Sequence, residues 1–227
     1  MGPGQVKSDP EHQVTISKPF YMTVYPVTAE QYVLLMGLDG TPPLREPRRK
    51  DIGLLGRRPY KDAVEFCTRL SKVAGRTCRL PTEAEWEFSC RAGTSTRFFF
   101  GDAEKDLPRY TWLHKDIMSR DVNDPLPPVG QKLPNPWGLY DLFLCGEWCS
   151  DWGADYPKPV PDSQGNLPAG GLIDPKGPNT GTERVIRGEQ WSLEDQRAPG
   201  VVGFGSRFRG RGEPFVPFAF RVVMEIK

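Results

Sequence analysis

With 227 residues the chain is long enough to bury one good hydrophobic core, and a single domain over residues 1–227 is predicted. Thirty basic against twenty-nine acidic side chains leave a net charge of +1, which excludes a global field drawing the chain to nucleic acid or an anionic membrane. Hydrophobic residues make up 37% and Gly and Pro number 24 each, so long loops are expected, and no apolar run approaches the roughly 18–20 residues that span a bilayer.

The first ten residues carry no hydrophobic stretch, hence no secretory signal is expected. Short β-rich pieces at Val14 to Ile16 and Phe20 to Tyr25, parted by Ser17, Lys18 and Pro19, predict two strands or one bent strand. A helix should open after Thr28, which with Gln31 forms a capping box, and should end at Gly37. Residues 41–59 hold four prolines and six basic side chains and read as a solvated loop. A second helix starts at Tyr60, with Ala63, Phe66, Cys67 and Leu70 on one face and Gly75 past its end.

A third helix is announced by Thr82 and Glu85, again three residues apart, behind Pro81. Its apolar stripe is expected at Ala84, Phe88 and Ala92, with Trp86 and Cys90 beside them and Gly93 as the left-handed cap. Residues 98–123 are irregular and dotted with aromatics. Pro134, Asn135 and Pro136 force a turn, after which Trp137, Leu139 and Tyr140 are expected in a loop-rich core. Residues 156–182 read as a long loop, and strands follow at residues 184–187 and 219–224.

The stretch Arg79-Leu80-Pro81-Thr82-Glu83-Ala84-Glu85-Trp86-Glu87, followed by Arg91-Ala92-Gly93-Thr94, resembles the signature of the formylglycine-generating enzyme, or sulfatase-modifying factor, family. The match extends to Val27-Thr28 with Gln31-Tyr32, to residues 128–141, and to Ala219-Phe220-Arg221-Val222, so it covers about residues 12–225. The resemblance implies an α+β, irregular, loop-rich, C-type-lectin-like fold with short antiparallel strands and about three helices. It also implies a last strand that pairs with the N-terminal one.

Catalytic members of that family oxidise a substrate cysteine with oxygen and copper held by two cysteine thiolates, ligands suited to soft Cu(I). Those cysteines follow a strand that here reads Arg184-Val185-Ile186-Arg187-Gly188-Glu189-Gln190-Trp191, yet no cysteine occurs after Cys149. The five cysteines, at spacings 11, 12, 55 and 4, form no disulfide framework, and Cys145 and Cys149 lack a second pair for zinc. Cys67 and Cys90 are expected to act as small hydrophobes, and His12 and His114 make no metal-binding spacing. Together with the absent signal, this cysteine usage predicts a cytoplasmic location.

Calcium-binding relatives carry a Gly-Asn before their Trp-Glu-Trp. Here residues 141–149 keep Glu147 and Trp148 and lack that pair, so the calcium pattern is incomplete and no cofactor is expected. Neither a Walker loop, nor a nucleophile elbow, nor a dinucleotide fingerprint is present.

Residues 192–218 hold Arg197, Arg207, Arg209 and Arg211 with Phe204, Phe208, Phe215 and Phe218 among glycines and prolines. Arginine and aromatic side chains dominate binding hot spots. The region also resembles the diversified C-terminal segment of diversity-generating retroelement variable proteins. Trp191, Ser192, Glu194, Arg207, Phe208, Arg209, Arg211, Glu213, Phe215 and Phe218 are therefore the candidate ligand-binding residues, the partner being a protein or other macromolecule. Arg197 and Arg207 are equally open to a structural role beside a buried carboxylate such as Glu147. The run Arg207 to Gly212 interleaves arginine with Phe and Gly, but six residues at near-zero net charge do not predict a nucleic-acid partner. The alternative is an oxygen- or metal-dependent modifying enzyme with non-standard active-site residues.

Overall fold

The computed structural model describes residues 13–37, 58–112, 127–144, 146–154, 171–188, 209–212 (backbone only) and 218–226. Among them the strands are β1 (Val14–Thr15), β2 (Phe20–Met22), β3 (Cys78–Arg79), β4 (Glu147–Trp152), β5 (Leu172–Ile173), β6 (Arg184–Arg187), β7 (Arg209–Gly212) and β8 (Val223–Glu225). The helices are α1 (Ala29–Met36), α2 (Tyr60–Ala74), α3 (Glu83–Arg91) and a 3-10 helix at Glu104–Arg109. None is long and apolar enough to cross a membrane.

Two antiparallel sheets organise the fold, in the orders β2-β8-β3 and β4-β6-β7, while β1 and β5 form a small parallel pair. The expected closure of the chain is present: β8 pairs antiparallel with β2, Tyr21 facing Met224, and takes β3 on its other edge. The short strand β5 lies inside the stretch read as loop.

Both predicted capping boxes form. Thr28 Oγ1 accepts from Gln31 N at 3.2 Å while Gln31 Oε1 accepts from Thr28 N at 3.0 Å. Thr82 Oγ1 accepts from Glu85 N at 3.2 Å, and Glu85 Oε2 accepts from Thr82 N at 2.8 Å. Arg79 adds a two-pronged pair to the Glu85 carboxylate, with both distances 2.7 Å. Burial pushes the Glu85 carboxyl up, but the Arg79 hydrogen bonds and the Thr82 N–H outweigh it and hold it below the ordinary range. The Thr82→Ala variant is expected to lose about 1 kcal/mol, since one helix N–H loses its acceptor. Urea unfolding checks this, and no loss of stability would mean the box is not formed.

Helix α2 buries Ala63, Phe66 and Cys67, as its spacing predicts, and ends on Gly75 with φ 62°. In α3 the predicted stripe is displaced. Trp86 and Cys90, with Ser89 and the carboxylate-bearing Glu83 and Glu85, are buried, whereas Phe88 is half exposed, and the left-handed cap is Ala92 (φ 48°) rather than Gly93 alone. Residues 83, 86 and 90 share one helix face, and the packing partners of that face include charges as well as apolar groups. Trp137, expected in the core, is also half exposed and meets Phe88 edge-on at 5.0 Å. The buried member of that turn is Asn135, whose amide donates to the Ser89 and Cys90 carbonyls at 2.7 and 3.1 Å. It thereby satisfies two orphan acceptors at the end of α3.

Two hydrophobic clusters flank the β4-β6-β7 sheet. One gathers Phe66, Leu80, Trp148, Ile186, Phe218 and Phe220, and the other Trp86, Phe98, Leu142, Phe143, Cys149 and Val185. Neighbouring β6 residues Val185 and Ile186 enter opposite clusters, as strand alternation requires. Gly146 lets β4 start in tight packing: a Cβ there would stand 2.6 Å from the Ile186 side chain.

Candidate binding face on the β4-β6-β7 sheet

Register defines the candidate site. Arg187 of β6 pairs with Arg209 of β7, and Arg184 pairs with Gly212. Arg187 and Arg209 therefore stand directly opposite one another, so the described residues that flank 189–208 meet at one place. Phe218 bridges Arg58 through hydrogen bonds of 2.8 and 3.1 Å.

Buried ion pairs back the sheet at this place. Arg187 is 1% exposed and donates to Glu83 Oε1 at 3.0 Å and Glu87 Oε2 at 2.7 Å, both on α3. Glu87 also accepts from Arg91 at 2.8 Å. Burial pushes the Glu87 carboxyl up, but the charges of Arg187 and Arg91 prevail and hold it low. Asp151 of β4 accepts from Glu83 N at 2.9 Å, so its carboxylate sits at the positive end of α3. Arg184 of β6 lies with its guanidinium carbon 3.3 Å from the Trp152 ring centre and 4.3 Å from that of Tyr60. Its Nη1 donates to the Ser150 carbonyl at 2.5 Å, while its Nε is buried with no acceptor.

Deeper in, Glu147 and Arg221 are both wholly buried. The Arg221 Nε donates to both Glu147 oxygens at 3.0 and 2.9 Å, and the Trp86 indole donates to Oε2 at 2.8 Å. The structural arginine seen beside Glu147 is Arg221; Arg197 and Arg207 lie outside the described residues. The Glu147 carboxylate is thereby already engaged by a guanidinium and an indole.

Of the predicted site residues, Arg209 and Arg211 lie on β7, in register with Arg187 and Val185. Phe218 does not belong to an open face: it is buried, meeting Trp148 edge-on at 4.9 Å. Trp191, Ser192, Glu194, Arg207, Phe208, Glu213 and Phe215 lie outside the described residues. Arg184 and Arg187 were read only as strand residues, and Trp152 was not singled out. The available signal was the pair Glu83 and Glu87, two acids one helical turn apart on a largely buried helix, which demand a cation.

Cys67, Cys78, Cys90 and Cys149 are buried free cysteines, and Cys145 lies outside the described residues. Burial pushes the Cys67 thiol up to about 12, and the other three in the same direction. No three His, Cys, Asp or Glu side chains gather into a metal-binding group among the described residues.

Comparisons with known proteins agree with this architecture. The chain is 32% identical over 233 residues to the serine/threonine-protein kinase pkn1 of Chlamydia caviae, covering 91% of this chain and 35% of that protein. It is 34% identical over 137 residues to the formylglycine-generating enzyme of Mus musculus, covering 57% of this chain and 32% of that protein. The chain thus spans about a third of the length of these relatives. Among solved structures, Treponema denticola variable protein 1 superposes with a TM-score of 0.72 at 23% identity, over 98% of this chain and 90% of the other. PvdO from Pseudomonas aeruginosa follows at 0.66 and 23% identity, over 98% and 86%. The model of the sulfatase-modifying factor enzyme 1-like domain matches residues 1–223, and the chain belongs to that family.

Proposed function

We propose that this domain is a non-catalytic binding module that holds a protein or other macromolecule through the face formed by residues 191–218. One observation carries the reading: the β6-β7 register gathers both ends of residues 188–208 over a base of buried ion pairs, and that segment contains no cysteine. A rigid scaffold beneath a stretch rich in Arg, aromatic and Gly residues is suited to hot-spot recognition. The likeness to Treponema denticola variable protein 1, by its name a variable protein, supports a role in which this stretch changes while the frame stays. No cofactor enters this reading.

Randomising positions 191, 192, 194, 207, 208, 209, 211, 213 and 215 in a yeast-displayed library tests it. Most members are expected to be displayed as well as the parent, and selection against an arbitrary protein such as lysozyme should return binders. Trp191→Ala and Arg209→Ala should shift Tm by no more than about 2 °C, as surface substitutions do. General loss of display, or unfolding of both single variants, would show that these side chains are core and end the proposal.

The second reading is a modifying enzyme of the formylglycine-generating type with non-standard residues, favoured by the 34% identity to the Mus musculus enzyme.

A further inference from the structure

The β2-β8-β3 sheet has an outer edge whose hydrogen-bonding groups follow from its register. Thr23 N donates to the Val222 carbonyl at 3.0 Å, and Tyr21, two positions earlier, stands opposite Met224. Glu225 N donates to the Thr77 carbonyl at 3.0 Å, so β8 serves β2 and β3 from alternate residues. In an antiparallel ladder the backbone groups of successive residues point to opposite sides. Tyr21 and Thr23 therefore bond toward β8, while Phe20 and Met22 direct their N–H and C=O outward. Among the described residues, which include the whole run 13–37, no strand pairs with that side of β2. Pro19 falls on a position that faces β8, so its missing N–H takes nothing from the outer edge. At the other end the Val24 carbonyl is occupied by Arg221 at 2.8 Å and by Tyr140 N at 3.0 Å, which limits the free stretch to Phe20–Met22.

Side chains add a second observation. Tyr21, Met224 and Cys78 are cross-strand neighbours and form one row on one face of the sheet. Cys78 is buried in the cluster with Phe66 and Cys67 of α2, and Met224 packs against it, but Tyr21 is 57% exposed. The apolar cover thus runs out at the edge. Val24 and Tyr25, just beyond, are exposed as well.

This edge is its own complement. A second β2 laid antiparallel about a two-fold axis at Tyr21 brings Phe20 opposite Met22 of the second copy, and Met22 opposite its Phe20. Each of those pairs exchanges two N–H···O bonds, and two tyrosines meet at the axis in a non-hydrogen-bonded pair, where side chains are closest. A net charge of +1 sets little repulsion against bringing two copies together. We propose that the chain self-associates through β2 into a two-fold dimer whose continuous sheet runs β3-β8-β2-β2-β8-β3. The surface lies on the other sheet from the candidate binding face and does not depend on it.

Sedimentation velocity of the whole chain, from micromolar to submillimolar concentration, tests this together with amide hydrogen exchange. The sedimenting mass is expected to rise from one chain toward two. Over the same range the Phe20 and Met22 amides should slow at least about tenfold, while Tyr21 and Thr23, already bonded to β8, keep one rate. Tyr21→Lys places like charges opposite each other at the axis and should weaken association at least about tenfold, with circular dichroism as in the parent. A single-chain mass at every concentration overturns the proposal, whether the edge stays free or is left to another protein's extended segment. So does a dimer whose Phe20 and Met22 amides are no better protected, or one that Tyr21→Lys leaves intact. If Tyr21→Lys does not fold, exchange in the parent decides. None of these outcomes bears on the displayed library, which varies positions 191–215.

Discussion

Arg221→Ala is expected to remove about 3–5 kcal/mol of folding stability, the cost of breaking a buried pair from one side. The guanidinium is wholly buried, and besides both Glu147 oxygens it serves the carbonyls of Val24 at 2.8 Å and Thr23 at 3.3 Å, and that of Tyr140. One side chain thus ties β8's approach to the N-terminal strand, the Tyr140 turn and the first residue of β4. Alanine would leave the Glu147 charge beside the Trp86 indole with no counter-ion. Against a typical total of about 5–15 kcal/mol, that is a large share of the fold's stability. Replacing both partners by apolar groups, Arg221→Met with Glu147→Leu, should cost less than the sum of the single variants, because the orphaned charge disappears as well. Urea unfolding of the three variants checks this. A loss below about 1 kcal/mol in Arg221→Ala would place the guanidinium in water, not in the core.

Trp148→Ala should cost a similar amount, about 3–5 kcal/mol, for loss of a buried aromatic and the cavity left behind. Trp148 is fully buried on β4, meets Tyr60 at 5.6 Å and Phe218 at 4.9 Å, both edge-on, and donates its indole N–H to the Arg58 carbonyl at 2.9 Å. The ring is therefore the wedge that holds the Arg58–Phe218 bridge, where the chain comes back from the candidate face. Its removal should speed amide exchange at Arg58 and Phe218 more than at the β2-β8 pairs. Uniform acceleration, or a cost under about 1.5 kcal/mol, would mean the ring does not brace that return.

Motifs written in contiguous residues were legible in the sequence. Thr82 with Glu85 and Thr28 with Gln31 are local spacings, and the helices follow them. The pairing of the terminal strand was read through resemblance, since no local signal tells which strand β8 pairs with. What could not be read was long-range charge pairing. Glu147 and Arg221 are 74 positions apart and Arg187 and Glu83 are 104 apart, so no periodicity connects them. The apolar stripe of α3 was misplaced for the same reason: burial of Glu83 and Glu85 depends on arginines supplied by other strands, and Phe88 is left outside with Trp137. Phe218 looked like one more aromatic of a variable-looking stretch. Only the bridge to Arg58 shows that the stretch has already returned to the core there.

The lack of any cysteine after Cys149 is the point on which the binding reading stands, and a direct measurement reaches it. The chain is titrated with Cu(I) in competition with a chelator, then incubated with oxygen and a cysteine-containing peptide, with copper counted by mass spectrometry and the peptide's mass recorded. The account predicts no stoichiometric copper, an unchanged peptide, and Cys67, Cys78, Cys90 and Cys149 that react with N-ethylmaleimide only after denaturation. One copper per chain released by thiol alkylation, together with conversion of the peptide's cysteine to formylglycine, would contradict it.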